Sequence, residues 1–429
     1  MMPLQVVADI LRRRQAQGWL VGGSVRDREL GRPSPDLDIV VTGDAAAVAR
    51  EIARRLDVPW FVLSDRHPAY RVMADKGRID VAPVKGEDIL ADLGERDFTV
   101  NAMAVPIGET EVLDPFGGLS HLRERRLVAV SERVFRDDPL RMMRAARFRH
   151  VLGLEMEPAL AAAVRGQAPL LAGTAVERIV AEMALTLAVG RSVEAVRLWH
   201  DLGLLAQFLP EVTMDDRFEA SSAALETLDA ILDRPADWFP RAAEALAGRL
   251  AQPLDGSLAR PVALRIAAMM LRTRLDEAVR AGRRLKLSAD MVSLAATLVR
   301  RAQVGSGLPS AARGREAVLF LWEAAPWEPE VILLDAAKAT GGLDTLRGLL
   351  DLWQARASGE EPPAPVDGVS LMRELGLESG PLLGKVLREA RLAWEAGEAT
   401  DLDQVLAVAR AELTAVRPGS RRGPGRTVT

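Results

Sequence analysis

The stretch Gly18-Trp19-Leu20-Val21-Gly22-Gly23-Ser24-Val25-Arg26-Asp27, followed by Pro35-Asp36-Leu37-Asp38-Ile39-Val40-Val41, decides the fold. Leu20-Val21 reads as an apolar strand stub, Gly22-Gly23 as a turn, and Ser24 as the N-cap of a short helix. Asp36 to Val41 reads as a second strand. Side chains alternate along a strand, so Asp36 and Asp38 share one face while Leu37, Ile39 and Val41 take the other. Two carboxylates on one face repel unless a cation lies between them. Oxygen ligands with open water positions suit Mg²⁺, so Asp36 and Asp38 are the expected metal ligands. A lone Asp-x-Asp is more often a solvated strand end; its place behind Gly-Gly-x-x-Arg-Asp favours the metal.

Working outward, Arg78-Ile79-Asp80-Val81-Ala82 reads as a strand with Asp80 opposite its apolar neighbours, a third carboxylate for the same site. Arg96-Asp97-Phe98-Thr99-Val100-Asn101 is read as the approach to a further strand, its polar groups suited to triphosphate and ribose hydroxyls. Next come Asp114-Pro115-Phe116-Gly117-Gly118 and then Asp137-Asp138-Pro139-Leu140-Arg141-Met142-Met143-Arg144-Ala145-Ala146-Arg147-Phe148. Pro139 marks a first helical position and Asp138 its N-cap. Asp138 and Arg141 stand one turn apart. A carboxylate accepts from an exocyclic amine and a guanidinium donates to a ring nitrogen, the pattern that cytosine and adenine present and uracil and guanine do not. Such a contact discriminates by roughly 1–3 kcal/mol. The plain alternative is a helix cap followed by solvated arginines.

Composition sets the frame. The chain has 429 residues, 48% hydrophobic and 27% charged, with a formal net charge of −4. That is ordinary for a soluble globular protein of two to four domains. An acidic balance excludes wholesale electrostatic capture of nucleic acid, so RNA contact must come from local basic patches. The absence of cysteine excludes disulfides and thiolate metal sites, and fits a cytoplasmic enzyme. No secretory or membrane-spanning pattern is evident. The four histidines, His67, His121, His150 and His200, are too scattered for histidine-based hydrolysis.

Strands are predicted at Trp19–Val21, Leu37–Val41, Trp60–Leu63, Tyr70–Ala74, Arg78–Ala82, Ala102–Val105 and Val112–Leu113, with an amphipathic helix at about Ala45–Leu56. After residue ~120 strand signals stop, and from Asp138 onward the pattern is helical. The fold class is therefore α+β: a head with a mixed sheet, then an all-helical remainder. Residues 360–365, Glu-Glu-Pro-Pro-Ala-Pro, read as a linker before a last helical unit, and residues 416–429 as a disordered tail.

Taken in order and spacing from about Gly18 to Pro210, these motifs resemble the class II tRNA nucleotidyltransferases and bacterial poly(A) polymerases. The resemblance implies a nucleotidyltransferase head (1–118), a neck (119–190), a body (191–305) and a tRNA-binding tail (306–415). It implies catalytic Asp36, Asp38 and Asp80, with Mg²⁺ on the first two, and triphosphate contacts from Gly22, Gly23 and Arg26. It also implies sugar and phosphate contacts from Arg96, Asp97 and Asn101, base reading by Asp138 and Arg141, and basic support from Arg144 and Arg147. The implied reaction adds CMP from CTP, and AMP from ATP where the full CCA end is made, to the tRNA 3′ end; a monomer is expected. Four positions depart from the pattern. Glu95 replaces an arginine, Asp137 a glutamate and His121 an aspartate, while Leu271-Arg272 stand where some relatives carry a metal-binding His-Asp pair. The segment between Asp80 and Arg96 is short, which favours addition of CC alone. Leu375-Gly376-Leu377-Glu378-Ser379-Gly380-Pro381 resembles a tail motif of tRNA-specific members, or is simply a Gly-Pro turn. The alternatives are a poly(A) polymerase, a silent RNA-binding relic, and a nucleotidyltransferase acting on a protein or small molecule.

Overall fold

Alternation in β2 (Leu37–Val41) builds the centre of a six-stranded sheet. Its other strands are β1 (Gly18–Val21), β3 (Trp60–Ser64), β4 (Ala69–Ala74), β5 (Gly77–Pro83) and β6 (Ala104–Pro106), in the order β3-β4-β5-β2-β1-β6. Only β2 and β5 pair in parallel, so the sheet is mixed. The computed structural model describes residues 3–32, 35–64, 68–74, 77–214, 216–256, 258–304, 307–338, 341–360 and 363–416; the expected terminal tail lies almost wholly outside them.

One sheet face is packed by two helices, α1 (Pro3–Arg14) and α3 (Ala45–Leu56). Helix α3 follows from its residues. Val48, Ala49, Ile52 and Ala53 recur at helical spacing and are buried, and Asp44 caps the helix by accepting the Ala47 N–H at 2.9 Å. They meet Ile39, Val41, Val72, Ile79 and Val81 of the sheet in one core. The opposite face holds a smaller core of Trp19, Val21, Val40, Ala102 and Ala104 under Ile89 and Leu93 of α4 (Ile89–Gly94). Asp36 and Asp38 lie toward this second face, as alternation requires.

Helix α2 (Gly23–Glu29) starts from Gly22, whose φ of 65° is open to glycine at little cost. Ser24 is inside the helix and does not cap it. Its hydroxyl accepts the Asp38 N–H at 2.9 Å and donates to the Asp36 carbonyl at 3.2 Å, tying helix to strand. Arg96 to Asn101 likewise departs from expectation: Thr99–Asn101 is a 3₁₀ turn, and β6 begins two residues later than predicted.

Beyond α5 (Gly118–Arg123) the only strands among the described residues are a two-residue parallel pair, β7 (Arg126–Leu127) with β8 (Glu155–Met156), too short to leave a periodic signal. Asp138 does not begin a helix. Residues Val134–Asp137 form a single turn, α6; Asp138 is extended, with φ −149° and ψ 103°; and α7 runs Arg141–Leu152. Pro139 excludes the helical region for the residue before it, which keeps Asp138 extended. Its carboxylate still accepts the Leu140 N–H at 3.2 Å. Two helices, α8 (Pro158–Gln167) and α9 (Val176–Leu187), complete this part.

Two compact units divide the chain, residues 1–189 with 194–210, and residues 190–193 with 211–429. The second has helices and no strand among its described residues. The buried Glu330 there takes Arg260 at 2.6 Å and Arg249 at 2.9 Å, and a separate core gathers Leu371, Val386, Ala390 and Val405. Leu375 to Pro381 is a helix-to-helix turn, with Gly376 left-handed at φ 63° and Pro381 opening the next helix. Among the described residues no helix is long and apolar enough to cross a membrane.

Gly118 shows how tightly the first unit is built. A Cβ there would stand 2.2 Å from the Thr99 carbonyl oxygen, backbone against backbone. Gly118→Ala is expected to destabilise by about 1–3 kcal/mol or more, because neither chain can yield freely. Thermal unfolding should show a clear loss, whereas Gly166→Ala, which meets nothing within 4 Å, should leave the melting temperature unchanged or raised.

Candidate active site

Every residue that the sequence singled out for the site, apart from Asp80, lines one cleft of about 640 Å³ in the first unit, a size suited to a small polar ligand. The cleft is densely charged, with eight basic and seven acidic side chains along its walls.

The sheet supplies its floor. Parallel pairing of β2 and β5 sets Asp38 directly beside Asp80, and Asp36 precedes β2. Both Asp80 oxygens receive Arg71 of β4, each at 2.7 Å, so Asp80 is a charge-paired neighbour just outside the cleft. The Asp80 hydrogen bond in turn raises the Arg71 pKa. Asp36 accepts the Arg78 N–H at 3.2 Å and pairs with the Arg78 side chain at 3.2 Å. No side-chain hydrogen bond reaches the Asp38 carboxylate among the described residues. It opens onto the cleft and keeps contact with solvent, yet protein surrounds it. That enclosure, then repulsion from Asp80, raises its pKa above the ordinary value against the pull of Arg96 and Arg78. A cation beside Asp38 would relieve this repulsion.

Gly22 lets the cleft close tightly at its turn. A Cβ at this position would stand 2.8 Å from Arg96 Nη1 and 4.0 Å from Asp38 Oδ2. Gly23 is less constrained, its Cβ position 3.4 Å from the Arg26 guanidinium. Arg96 itself is held by the buried Asp92, at 2.8 and 3.1 Å, and the other Asp92 oxygen accepts the Lys85 N–H at 3.1 Å. One aspartate thus ties Lys85 to Arg96 across the second part of the short segment between Asp80 and Arg96.

A polar chain forms the back wall. Arg26 donates to Asn101 Oδ1 at 2.7 Å, Asn101 donates to Asp97 at 3.0 Å, and Arg144 donates to Asp97 at 2.7 Å. Arg147 and Arg144 then share Glu182 of α9, at 2.7 and 3.7 Å. All three guanidiniums pack round the Phe148 ring, 4.5 to 5.3 Å from its centroid. Asp97 is 6% exposed. Desolvation pushes its pKa up, but Arg144, Asn101 and the Phe98 N–H together outweigh it and leave the value lowered. Arg144 is correspondingly raised: burial lowers it, but the field and hydrogen bond of Asp97 prevail.

At the remaining wall the Arg141 N–H bonds the Asp138 carbonyl at 3.0 Å, confirming the one-turn spacing. Their side chains are engaged elsewhere. Arg178 of α9 takes the Asp138 carboxylate at 2.7 and 3.3 Å, and Arg141 donates to the Glu95 carbonyl at 2.6 Å. Arg78, Lys85, Asp92, Phe148, Arg178 and Glu182 are site residues that residue-by-residue reading passed over. Arg178 and Glu182 stand four residues apart on α9, one turn from each other.

Comparison with known proteins agrees with this geometry. The model for the poly A polymerase head domain matches residues 18–91 and 85–128, and that for the probable RNA and SrmB-binding site of polymerase A matches 153–215. A CC-adding tRNA nucleotidyltransferase of Geobacter sulfurreducens is 30% identical over 417 residues, 96% of each chain. An A-adding tRNA nucleotidyltransferase of Deinococcus radiodurans is 34% identical over 407 residues, 88% of this chain and 92% of that one. Among solved structures, a CCA-adding enzyme in complex with ATP superposes with a TM-score of 0.73 at 20% identity, covering 96% of this chain and 94% of that one. A head sheet of this topology and a cleft of this make-up define a nucleotidyltransferase. The chain belongs to the tRNA nucleotidyltransferase family.

Asp97 gives a test of the back wall. Its lowered pKa means that it contributes stability fully present above its unfolded value of about 3.9 and lost as pH falls through the lower folded value. Asp97→Asn should cost about 1.5–3 kcal/mol at neutral pH, the value of a buried hydrogen bond to a charged group. Denaturant melts of both proteins should show that gap constant above pH ~5 and closing below pH ~4.

Proposed function

We propose that this cleft transfers cytidylyl groups from CTP to the 3′-hydroxyl of tRNA, adding CC and releasing pyrophosphate. The observation that carries it is the convergence of Asp36 and Asp38, the Arg26–Asn101–Asp97–Arg144 wall and the Asp138–Arg141 turn on a single cavity. Asp36 and Asp38 would hold Mg²⁺. Among the described residues no cluster of three or more ligating side chains is preformed, which suits an ion that keeps waters and takes its other ligands from phosphate. When bound, it supplies a lower pKa to the attacking hydroxyl and neutralises charge on the leaving phosphates. Arg26 and Arg96 would face the triphosphate, while Asp97 and Asn101, oriented by Arg144 and Arg26, would position the ribose.

Base choice falls to Asp138 and Arg141. Accepting from a cytosine amine requires Asp138 to exchange Arg178 for the base, and Arg141 to leave the Glu95 carbonyl for the ring nitrogen. Uracil offers Asp138 a carbonyl instead and leaves the released carboxylate without a donor. Restriction to CC is supported by the Asp92 clamp, which ties Lys85 to Arg96 within the short segment, and by the Geobacter sulfurreducens relative over nearly its whole length. The similarity to an A-adding relative supports a second reading, addition of the terminal A. We assign the head to residues 1–118, the neck to 119–190, the body to 191–305 and the tRNA-binding tail to 306–415, in a cytoplasmic enzyme.

A tRNA transcript lacking CCA, incubated with Mg²⁺, CTP and ATP and run on a sequencing gel, should stop at CC. A full CCA end would show that the clamp permits the switch. Extension only of a transcript already ending in CC would favour A addition, and a long A tract poly(A) polymerase. In the same assay Asp38→Ala should lose at least about 10²-fold in rate, as expected where a preorganised charge contact is removed, with tRNA affinity retained. Asp138→Ala should admit UTP by a factor of about 10 or more, the equivalent of one lost base contact. Unchanged selectivity would return Asp138 to a purely structural role.

A further inference from the structure

The carboxylate row on the sheet continues past the cleft. Cross-strand register sets Asp38 opposite Asp80, Asp80 opposite Arg71, and Arg71 opposite Phe61. Directly opposed residues share a face, so one row runs from the candidate metal ligand to edge strand β3. A second row runs beside it: Arg78 binds Asp36 and stands opposite Met73. Both rows end on exposed apolar side chains, Phe61 at 44% and Met73 at 41% of full exposure. Trp60, on the other face of β3, packs against the helical core instead.

This strip has one open direction. On the far side of β2 the same face is closed by Trp19, Val21 and Val40, buried under Ile89 and Leu93. A polymer whose end reaches Asp38 along the sheet therefore leaves it across β5, β4 and β3. Three strand spacings separate Asp38 from Phe61, roughly 14 Å, the length of a short run of nucleotides at about 3.4 Å each when stacked.

We propose that Phe61 and Met73 seat the unpaired bases just upstream of the acceptor's reacting 3′ end, with Arg71 and Arg78 flanking the phosphates between them. The inference rests on the function proposed above and adds a primer site to it. The strip suits this occupant because it carries an aromatic face and a polarisable thioether for the bases, while its two guanidiniums are held by Asp80 and Asp36 beside them. Stacking of this kind tolerates any base. An acceptor whose terminal bases change after each addition needs that tolerance.

The test uses the full-length protein and a tRNA transcript ending in one cytidine, with 2-aminopurine at the preceding position. Phe61→Ala is expected to raise the KM for tRNA about tenfold, the worth of one stacked base. The KM for CTP and kcat at saturating tRNA should stay unchanged, and Phe61→Trp should restore the wild-type KM. Met73→Ala should act in the same direction. The 2-aminopurine should be quenched on wild-type protein and not on Phe61→Ala. Unchanged KM and quenching in both alanine variants would overturn the proposal. So would light scattering that shows Phe61→Ala dissociating a dimer while the KM for tRNA holds, which would make β3 an interface between copies. Wild-type protein that quenches in a Phe61-dependent way yet transfers no nucleotide would refute the proposed reaction and leave the seat standing.

Discussion

Like charges held side by side on a sheet are the constraint round which the first unit is arranged. Parallel pairing of β2 with β5 forces Asp38 against Asp80, and alternation adds Asp36 to the same face. Left alone, this grouping would oppose folding. Arg71 and Arg78 answer two of the three carboxylates with paired guanidinium contacts. Among the described residues the third, Asp38, has no such partner, and enclosure and repulsion from Asp80 raise its pKa. The fold thus pairs two of the repelling charges with guanidiniums and leaves the one that opens on the cleft without such a pairing among the described residues.

The same economy governs the wall behind it. Asp97 is buried and would not be tolerated there unpaired; Arg144 lies against it and supplies the partner charge. The network extends to Arg26 at one end and Glu182 at the other, so α2, the 97–101 turn, α7 and α9 are fixed by one set of polar contacts. Helices that appear far apart in the chain are held in register by charge rather than by apolar packing alone.

How much of this was legible in the sequence differs from element to element. Helix α3 and strand β2 were readable to the residue, because alternation and a 3.6-residue period are local signals. The Asp-Pro at 138–139 placed the helix start two residues early: Asp138 is extended with its carboxylate on the Leu140 N–H, but α7 begins only at Arg141. Ser24 was misplaced for a related reason: a hydroxyl near a helix start can serve the helix or a neighbouring strand. Pairings such as Arg71 with Asp80, or Asp138 with Arg178, depend on strand register and helix packing across tens of residues, and no spacing rule exposes them. The motifs told which residues would gather in the cleft, but the partners each would hold came only from the structure.

Phe148 carries a consequence of its own. Three guanidiniums lean on one ring, and two of them are also joined through Glu182. None can swing toward an anion without disturbing the ring and therefore the other two. The three guanidiniums on this wall thus share one set of contacts. An anion entering the cleft would meet positive charges whose spacing is set in advance by the ring and Glu182.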